Sequence, residues 1–245
     1  MKDKEENAQK MEKIVINYGG GVNSTAILSL LCQKKLDYKN VSIVFADTGA
    51  EKPETYIYIE YIKPLLKKYG YSLITVKSKE GSLYDYCKTK NILPMRMLRL
   101  CTDRWKRKPI DKYNKDGKRV IGIDFGEQKR ALRYRNETDI LFPLIDLEID
   151  RNGCIEEIKR IGWKVPVKSG CWFCPYAPMK EFKELKINNP DLFNELCEME
   201  KNTLKHNSKT IKGWFDQTKP LDKAVLKRFP ETHHEQVGLC MYCFD

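Results

Sequence analysis

The chain has 245 residues, enough for one large domain or one domain with a small appendage. Hydrophobic residues make up 41%, so a core can form, and no apolar run approaches the roughly 20 residues that span a bilayer. The charged opening MKDKEENAQKMEK lacks the apolar centre of a signal peptide, so the expectation is a soluble, cytoplasmic protein with no membrane partner.

The formal charge of +11 is unevenly placed. Tyr86–Arg135 holds 16 Lys or Arg against 5 Asp or Glu, and the remaining 29 basic and 29 acidic residues cancel. A solvated face is the plain explanation; an excess this concentrated points to nucleotide phosphates, nucleic acid or both.

In chain order, Lys13–Tyr18 (KIVINY) is a short β-branched run and predicts a strand. Gly19, Gly20 and Gly21 follow, and Ser24-Thr25 opens the helical STAILSLLCQKK. Glycines admit positive φ and close approach of a phosphate to backbone N–H groups, and a helix N-terminus adds free donors. The plain alternative is a glycine-rich turn with an N-cap, because the loop matches neither G-x-x-x-x-G-K-[ST] nor G-x-G-x-x-G. Val41–Ala46 (VSIVFA) predicts a second strand, running into Asp47-Thr48-Gly49 and then a helix from Pro53. Tyr71–Val76, Lys118–Asp124 and Ile140–Ile145 predict three more. Continuous apolar strands alternating with helices indicate an α/β fold, a parallel five-stranded-type sheet with flanking helices. After about Asp150 strand signals stop and helical stretches dominate. The expected organisation is a nucleotide-binding α/β domain over residues 1–150 and a smaller helical, cysteine-bearing region over 151–245.

Nine cysteines in a cytosolic chain are free or bind metal. Cys32, Cys87, Cys154 and Cys197 are isolated and read as small buried hydrophobes. Cys171 and Cys174 form one C-x-x-C, Cys240 and Cys243 another, and Cys101 stands in a basic neighbourhood. Two pairs can supply four thiolates, which suit either a structural zinc or an iron–sulfur cluster; spacing does not separate the two.

The pairing of GGGVNS with DTGAEKPET resembles the PP-loop ATP pyrophosphatase superfamily (adenine nucleotide alpha hydrolase-like), in its phosphoadenylyl-sulfate (PAPS) reductase-like branch. CTDRWKRKPI, IGIDFGEQKRALR, FPLIDLEIDRNGCIEEIKRIG and SGCWFCPYAPMKEF continue the resemblance in the same order along nearly the whole chain. Gly19 replaces the usual Ser of the loop, and Asn23 the usual Asp. The resemblance implies that the loop from Tyr18 through Gly19, Gly20, Gly21, Asn23, Ser24 and Thr25 holds the phosphates of ATP, with Mg2+, or of a related adenylyl nucleotide. Asp47, Thr48 and Gly49 would line the nucleotide pocket. Lys106, Arg130 and Arg133 would neutralise phosphate charge, with Lys106, Arg130 and Ser24 as the catalytic candidates. A solvated helix face is the alternative for the two arginines, and Arg104 and Lys108 read equally well as surface residues. In the adenylyl-sulfate reductases of this branch a cluster is held by a Cys-Cys…Lys…Pro segment and a later Cys-x-x-Cys. Cys101 falls on the first of these, with Thr102 where the second cysteine would be, and Cys171 and Cys174 fall on the pair. Cys240 or Cys243 would supply a fourth ligand. By this analogy a [4Fe–4S] cluster is favoured over zinc.

Three functions follow. The first is an enzyme that binds ATP, adenylylates an acceptor and transfers sulfur to it, the acceptor being DNA or tRNA drawn by residues 86–135 and the sulfur coming from a donor protein. The second is a sulfonucleotide reductase using Cys240 or Cys243 as nucleophile, although the chain ends in GLCMYCFD and not in that family's Glu-Cys-Gly-Leu-His. The third is a non-catalytic, zinc-stapled nucleotide- or nucleic-acid-binding protein, in which Asn23 marks lost catalysis. His233 and His234 read as a surface pair.

Overall fold

A computed structural model of the chain describes residues 12–207 and 212–226. Five strands form one parallel sheet: β1 (Ile14–Asn17), β2 (Val41–Asp47), β3 (Leu73–Lys77), β4 (Lys118–Val120) and β5 (Ile140–Leu141). Their order is β3-β2-β1-β4-β5, and Ile14 of β1 stands beside Val41 of β2 and Lys118 of β4. The expected five-stranded parallel sheet is present. The β-branched run Ile14-Val15-Ile16 suits a strand covered on both faces. Ile14, Ile16 and Tyr18 pack on one face with Ile27 and Leu31 of α1 (Val22–Cys32) and Ile59 and Ile62 of α2 (Pro53–Lys68). Val15 packs on the other with Val44, Ala46 and Ile110.

Two strands are shorter than their apolar runs. β4 stops at Val120, although the run continues to Asp124. β5 stops at Leu141 because Pro143, which has no N–H for a ladder, starts helix α6 (Pro143–Asp146). Between β3 and β5 the chain makes α3 (Leu83–Lys90), α4 (Leu100–Thr102), a π-helical turn (Asp103–Arg107), α5 (Lys108–Tyr113) and, after β4, a 3₁₀ segment (Phe125–Tyr134).

The chain steps outward from β1 through β2 to β3, then returns to the other side of β1 as β4. Ligands of open parallel sheets bind at such a reversal, outside the carboxyl ends of the strands. Gly19–Gly21 leaves β1 there, and Gly122–Asp124 leaves β4 beside it.

The change of pattern near Asp150 does not coincide with a change of core. Asp150 caps α7 (Arg151–Arg160) by accepting the Gly153 N–H at 2.8 Å. Cys154 and Ile158 of α7, with Trp163, belong to the same core as α1. Glu157 ties the two helices: its carbonyl accepts from Ser29 Oγ at 2.7 Å and its carboxylate pairs with Lys35 at 2.8 Å. A second core joins Trp172 and Phe173 to α8 (Met179–Asn188), α9 (Pro190–Asn207) and α10 (Leu221–Ala224), and takes in Leu83, Cys87 and Trp105 from the first 150 residues. The buried Glu200 carboxylate of α9 accepts the backbone N–H groups of Trp214 and Leu221, each at 2.7 Å, and so anchors residues 212–226. Cys32, Cys87 and Cys154 are buried, and burial pushes each thiol up to about 12, as expected of cysteines used for packing. No helix among the described residues is long and apolar enough to cross a membrane.

Candidate functional site

The glycine loop is built at the end of β1. The Tyr18 ring is buried in the first core, its hydroxyl 3.3 Å from Thr25 Oγ1. Gly20 has φ +78°, and a Cβ there would lie 3.0 Å from Thr55 Cγ2, so the turn demands glycine. Gly21 caps α1 with extended backbone and no side-chain cap, so no side chain of the loop closes the donor end of α1. Ser24 is fully buried; it donates to Gly21 O at 3.2 Å and accepts from Gly19 N at 3.3 Å, bracing the loop. Asn23 is buried and bridges the sheet reversal. Its amide donates to Asp124 Oδ2 at 3.0 Å and to Gly122 O at 3.5 Å, and its Oδ1 accepts from Arg151 at 2.8 Å. An Asp at position 23 would face the Asp124 carboxylate; the amide is the side chain that can donate to it.

The loop after β2 is held as tightly. Asp47 Oδ1 accepts from Gly49 N at 2.9 Å and Tyr56 Oη at 2.7 Å, and Oδ2 pairs with Lys77 at 3.4 Å. Burial and then the Asp47 hydrogen bond raise the Tyr56 phenol far above its usual range, so it remains a donor. Gly49 has φ +68°, and a Cβ there would meet Ser82 Cβ at 2.7 Å. Thr48 is buried and donates to Glu51 Oε1 at 3.0 Å.

Residues 50–52 then pair with the first C-x-x-C. Lys52 N donates to Gly170 O at 2.9 Å, Trp172 N donates to Ala50 O at 3.1 Å, and Glu51 and Cys171 form an antiparallel bridge. Lys52 and Lys168 both reach Glu181 of α8, at 2.5 and 2.9 Å. Burial works against that carboxylate, but the two lysines hold it below the ordinary carboxylate range.

This pairing brings the distant cysteines together. Cys101, Cys171 and Cys174 line one pocket, with Thr48, Lys106 and Arg99 on its wall and Leu83, Phe173 and Tyr176 among its apolar lining. Lys106, on the π-helical turn, is nearly buried with its ammonium 3.2 Å from Glu51 Oε1. The same oxygen lies 3.7 Å from Cys171 Sγ, while Glu51 Oε2 is buried without a hydrogen-bond partner. Burial, then Glu51, raises the Cys171 thiol well above its ordinary range, and Lys106 opposes this. Arg130 and Arg133 stand elsewhere, on the 3₁₀ segment that Asp124 caps through Glu127 N at 3.1 Å. Arg130 pairs with Glu127, and Arg133 is exposed. Cys240, Cys243, His233 and His234 lie outside the described residues.

Residues 13–123, from the first strand to the end of the β4 run, match the phosphoadenosine phosphosulfate reductase domain family. The match covers a little under half of the chain, and it includes the glycine loop, the Asp47-Thr48-Gly49 turn and Lys106. Among curated proteins the chain is similar to uncharacterized proteins MJ0973 and MJ0066 of Methanocaldococcus jannaschii. The first is 27% identical over 90% of this chain and 56% of the relative, the second 25% identical over 76% and 41%. The chain thus spans about half the length of the curated relatives it matches. Among solved structures it is similar to the U34-tRNA thiolase NcsA from Methanococcus maripaludis, described with its [4Fe-4S] cluster (TM-score 0.46, 16% identity, 76% of this chain and 70% of that one). It is also similar to the NH3-dependent NAD synthetase from Campylobacter jejuni (TM-score 0.34, 15% identity, 83% and 91%).

A phosphate is accommodated by a turn in positive φ ahead of a helix N-terminus without a side-chain cap, and Gly20 and Gly21 supply these two features. For a metal, no three His, Cys, Asp or Glu side chains among the described residues gather as a set that could hold a metal ion. A single zinc draws its sulfurs to about 2.3 Å from one centre. An iron–sulfur cluster is held by thiolates, so Cys101, Cys171 and Cys174 on one pocket match it in donor type.

Sequence reasoning passed over three residues here: Glu51, Asp124 and Arg151. Glu51 and Asp124 sit inside the quoted motifs, and a carboxylate in an apolar, glycine-rich stretch was the available signal. Arg151 follows the change of pattern near Asp150 and carries no local signal.

Proposed function

We propose that the chain is an ATP-dependent enzyme that adenylylates an acceptor on nucleic acid and transfers sulfur to it. The observation that carries this reading is the single pocket in which three thiols, Cys101, Cys171 and Cys174, meet Thr48 and Lys106, residues of the nucleotide-binding motifs. Backbone N–H groups of Gly20, Gly21 and the start of α1 hold the terminal phosphates of Mg-ATP. The acceptor oxygen attacks the α-phosphorus and pyrophosphate leaves; sulfur delivered by a donor protein at the sulfide level then attacks the activated carbon, and the C–O bond breaks to release AMP. Lys106, held by Glu51, offers a fixed cation for the charge that develops on the phosphates, in a site with little water. Asp47, fixed by Gly49, Tyr56 and Lys77, orients the floor of the nucleotide pocket. Cys101, Cys171 and Cys174 would hold a [4Fe–4S] cluster, with Cys240 or Cys243 as a further ligand; its iron would supply a thiophilic site for the incoming sulfur.

Anaerobic purification with iron and acid-labile sulfide analysis, followed by pyrophosphate release from ATP with and without nucleic acid, tests the reading. The expected result is a brown protein whose pyrophosphate release rises with tRNA or DNA. A colourless protein with stoichiometric zinc that leaves ATP intact would overturn it and favour a zinc-stapled binding module. The phosphoadenosine phosphosulfate reductase match over residues 13–123 favours a second reading, reduction of a sulfonucleotide. Release of sulfite from that nucleotide, without pyrophosphate release from ATP, would select it.

A further inference from the structure

Next to the cysteine pocket, in chain continuity with its lining residues Pro94, Arg99 and Cys101, lies an exposed apolar surface that is not part of the pocket lining. Residues 95–100 follow Pro94, and their apolar side chains face solvent: Met97 is 90% exposed, Leu98 58% and Leu100 47%. The segment is nevertheless pinned. Arg96 Nε donates to Pro175 O and Tyr176 Oη donates to Arg96 O, each at 2.5 Å, and Trp214 Nε1 donates to Pro94 O at 3.1 Å. The guanidinium groups of Arg96 and Arg99 lie 5.8 and 5.0 Å from the centre of the Tyr176 ring. Arg99 holds φ +47°, a left-handed conformation that a side chain with Cβ adopts at a cost. The chain therefore fixes Met97 and Leu98 outward against both hydration and backbone preference.

Their neighbours say what covers them. Residues 96–108 contain six Lys or Arg, and the carboxylates paired with them are three, Glu51, Glu80 and Asp103, so a positive excess remains and the partner is an anion that also offers apolar faces. Arg99 and Tyr176 line the pocket itself, so the partner must pass a group inward. Bases of a single strand present flat apolar faces, their phosphates meet the cations, and an unpaired base can turn into a pocket. A patch of this few side chains is too small to insert into a lipid surface.

We infer that Met97, Leu98 and Tyr176 form a stacking rim that receives unpaired bases of a single-stranded nucleic acid and leads one of them into the cysteine pocket. The inference rests on the reading of the acceptor as nucleic acid and adds that the strand must be unpaired.

Fluorescence anisotropy on the full chain tests it, with a fluorescein-labelled oligoadenylate of about 12 nucleotides against a duplex of equal length. The wild-type chain is expected to bind the single strand more tightly than the duplex. The double variant Met97→Ser/Leu98→Ser, changed only at exposed positions, is expected to bind the single strand about tenfold more weakly. Its ATP-induced thermal shift and iron content should match wild type. A strand carrying 2-aminopurine should change its fluorescence on binding, and Tyr176→Leu should reduce that change. Equal single-strand affinity in wild type and double variant would overturn the rim, as would preference for the duplex or displacement of the strand by anionic phospholipid vesicles. If neither strand nor duplex binds while ATP still yields pyrophosphate, the rim fails and the nucleotide chemistry stands. If the strand binds as described but neither iron nor pyrophosphate is found, the rim stands and the proposed reaction fails.

Discussion

The two sides of the site solve the problem of buried polar groups differently. On the glycine-loop side, Asn23 makes three hydrogen bonds and Ser24 two, all to the chain itself. Its side chains brace the loop and also take the Gly19 N–H, so the remaining donors there are backbone N–H groups at Gly20–Gly21 and the start of α1. On the cysteine side, one carboxylate oxygen of Glu51 faces Thr48, Lys106 and Cys171, while the other has no partner. There the polar side chains line the pocket themselves. The contrast teaches that a substitution in the loop acts through shape and one in the pocket through charge and ligation.

Four experiments break or sharpen that contrast. The largest effect belongs to Cys171→Ser, which removes a thiolate from the pocket but alters no packing volume of consequence. Iron content after anaerobic purification is expected to fall more than tenfold, with little change in the melting temperature of the metal-free chain; unchanged iron would remove Cys171 from the ligand set. Next, Lys106→Ala leaves the Glu51 carboxylate buried without its cation. Breaking a buried pair on one side costs about 3–5 kcal/mol, so urea denaturation should show a loss of that order, and adding Glu51→Gln should restore part of it. A loss as small as that of a surface ion pair would mean that Lys106 is not held by Glu51.

Asn23→Asp sets two carboxylates face to face. The expected loss is about 2 kcal/mol, and Asn23→Asp with Asp124→Asn should recover it in a double-mutant cycle. Additive losses would show that the two side chains do not meet. The smallest effect comes from pH. Burial opposes ionisation of Glu157, yet Lys35 and Arg160 hold its carboxyl below the ordinary carboxylate value. A carboxylate whose folded value is depressed contributes stability that is present above its unfolded value and is lost as pH falls through the folded one. Glu157→Gln should therefore cost about 1 kcal/mol near neutrality and nothing at the acid end of a denaturation series run below pH 4.5. A constant difference at all pH values would assign the effect to packing between α1 and α7.

Much of this was readable along the chain. The β-branched runs Lys13–Tyr18 and Val41–Ala46 and the helix after Gly21 could be recognised because strand and helix periodicity are local properties. The ends of β4 and β5 could not. The run Ile140–Ile145 reads as apolar throughout, and only Pro143 hints that pairing ends early. The boundary at Asp150 was legible as composition but not as packing, since α7 looks helical and only its contact with α1 assigns it to the first core. The rim at Met97 was hidden because exposure is not a property of a side chain but of what surrounds it.

By itself the amino-acid order determined the alternation of strands and helices, the glycine turn at the end of the first strand, and the ordered set of motifs that resembles the PP-loop pattern. Tertiary structure alone decided that Lys106 answers Glu51 and that Asn23 faces Asp124. The reason is physical. Propensity and periodicity act over a few residues, whereas these contacts depend on strand order, on the reversal between β1 and β4, and on the pairing of residues 50–52 with 170–172. That pairing joins segments over a hundred residues apart through backbone hydrogen bonds that any sequence could make.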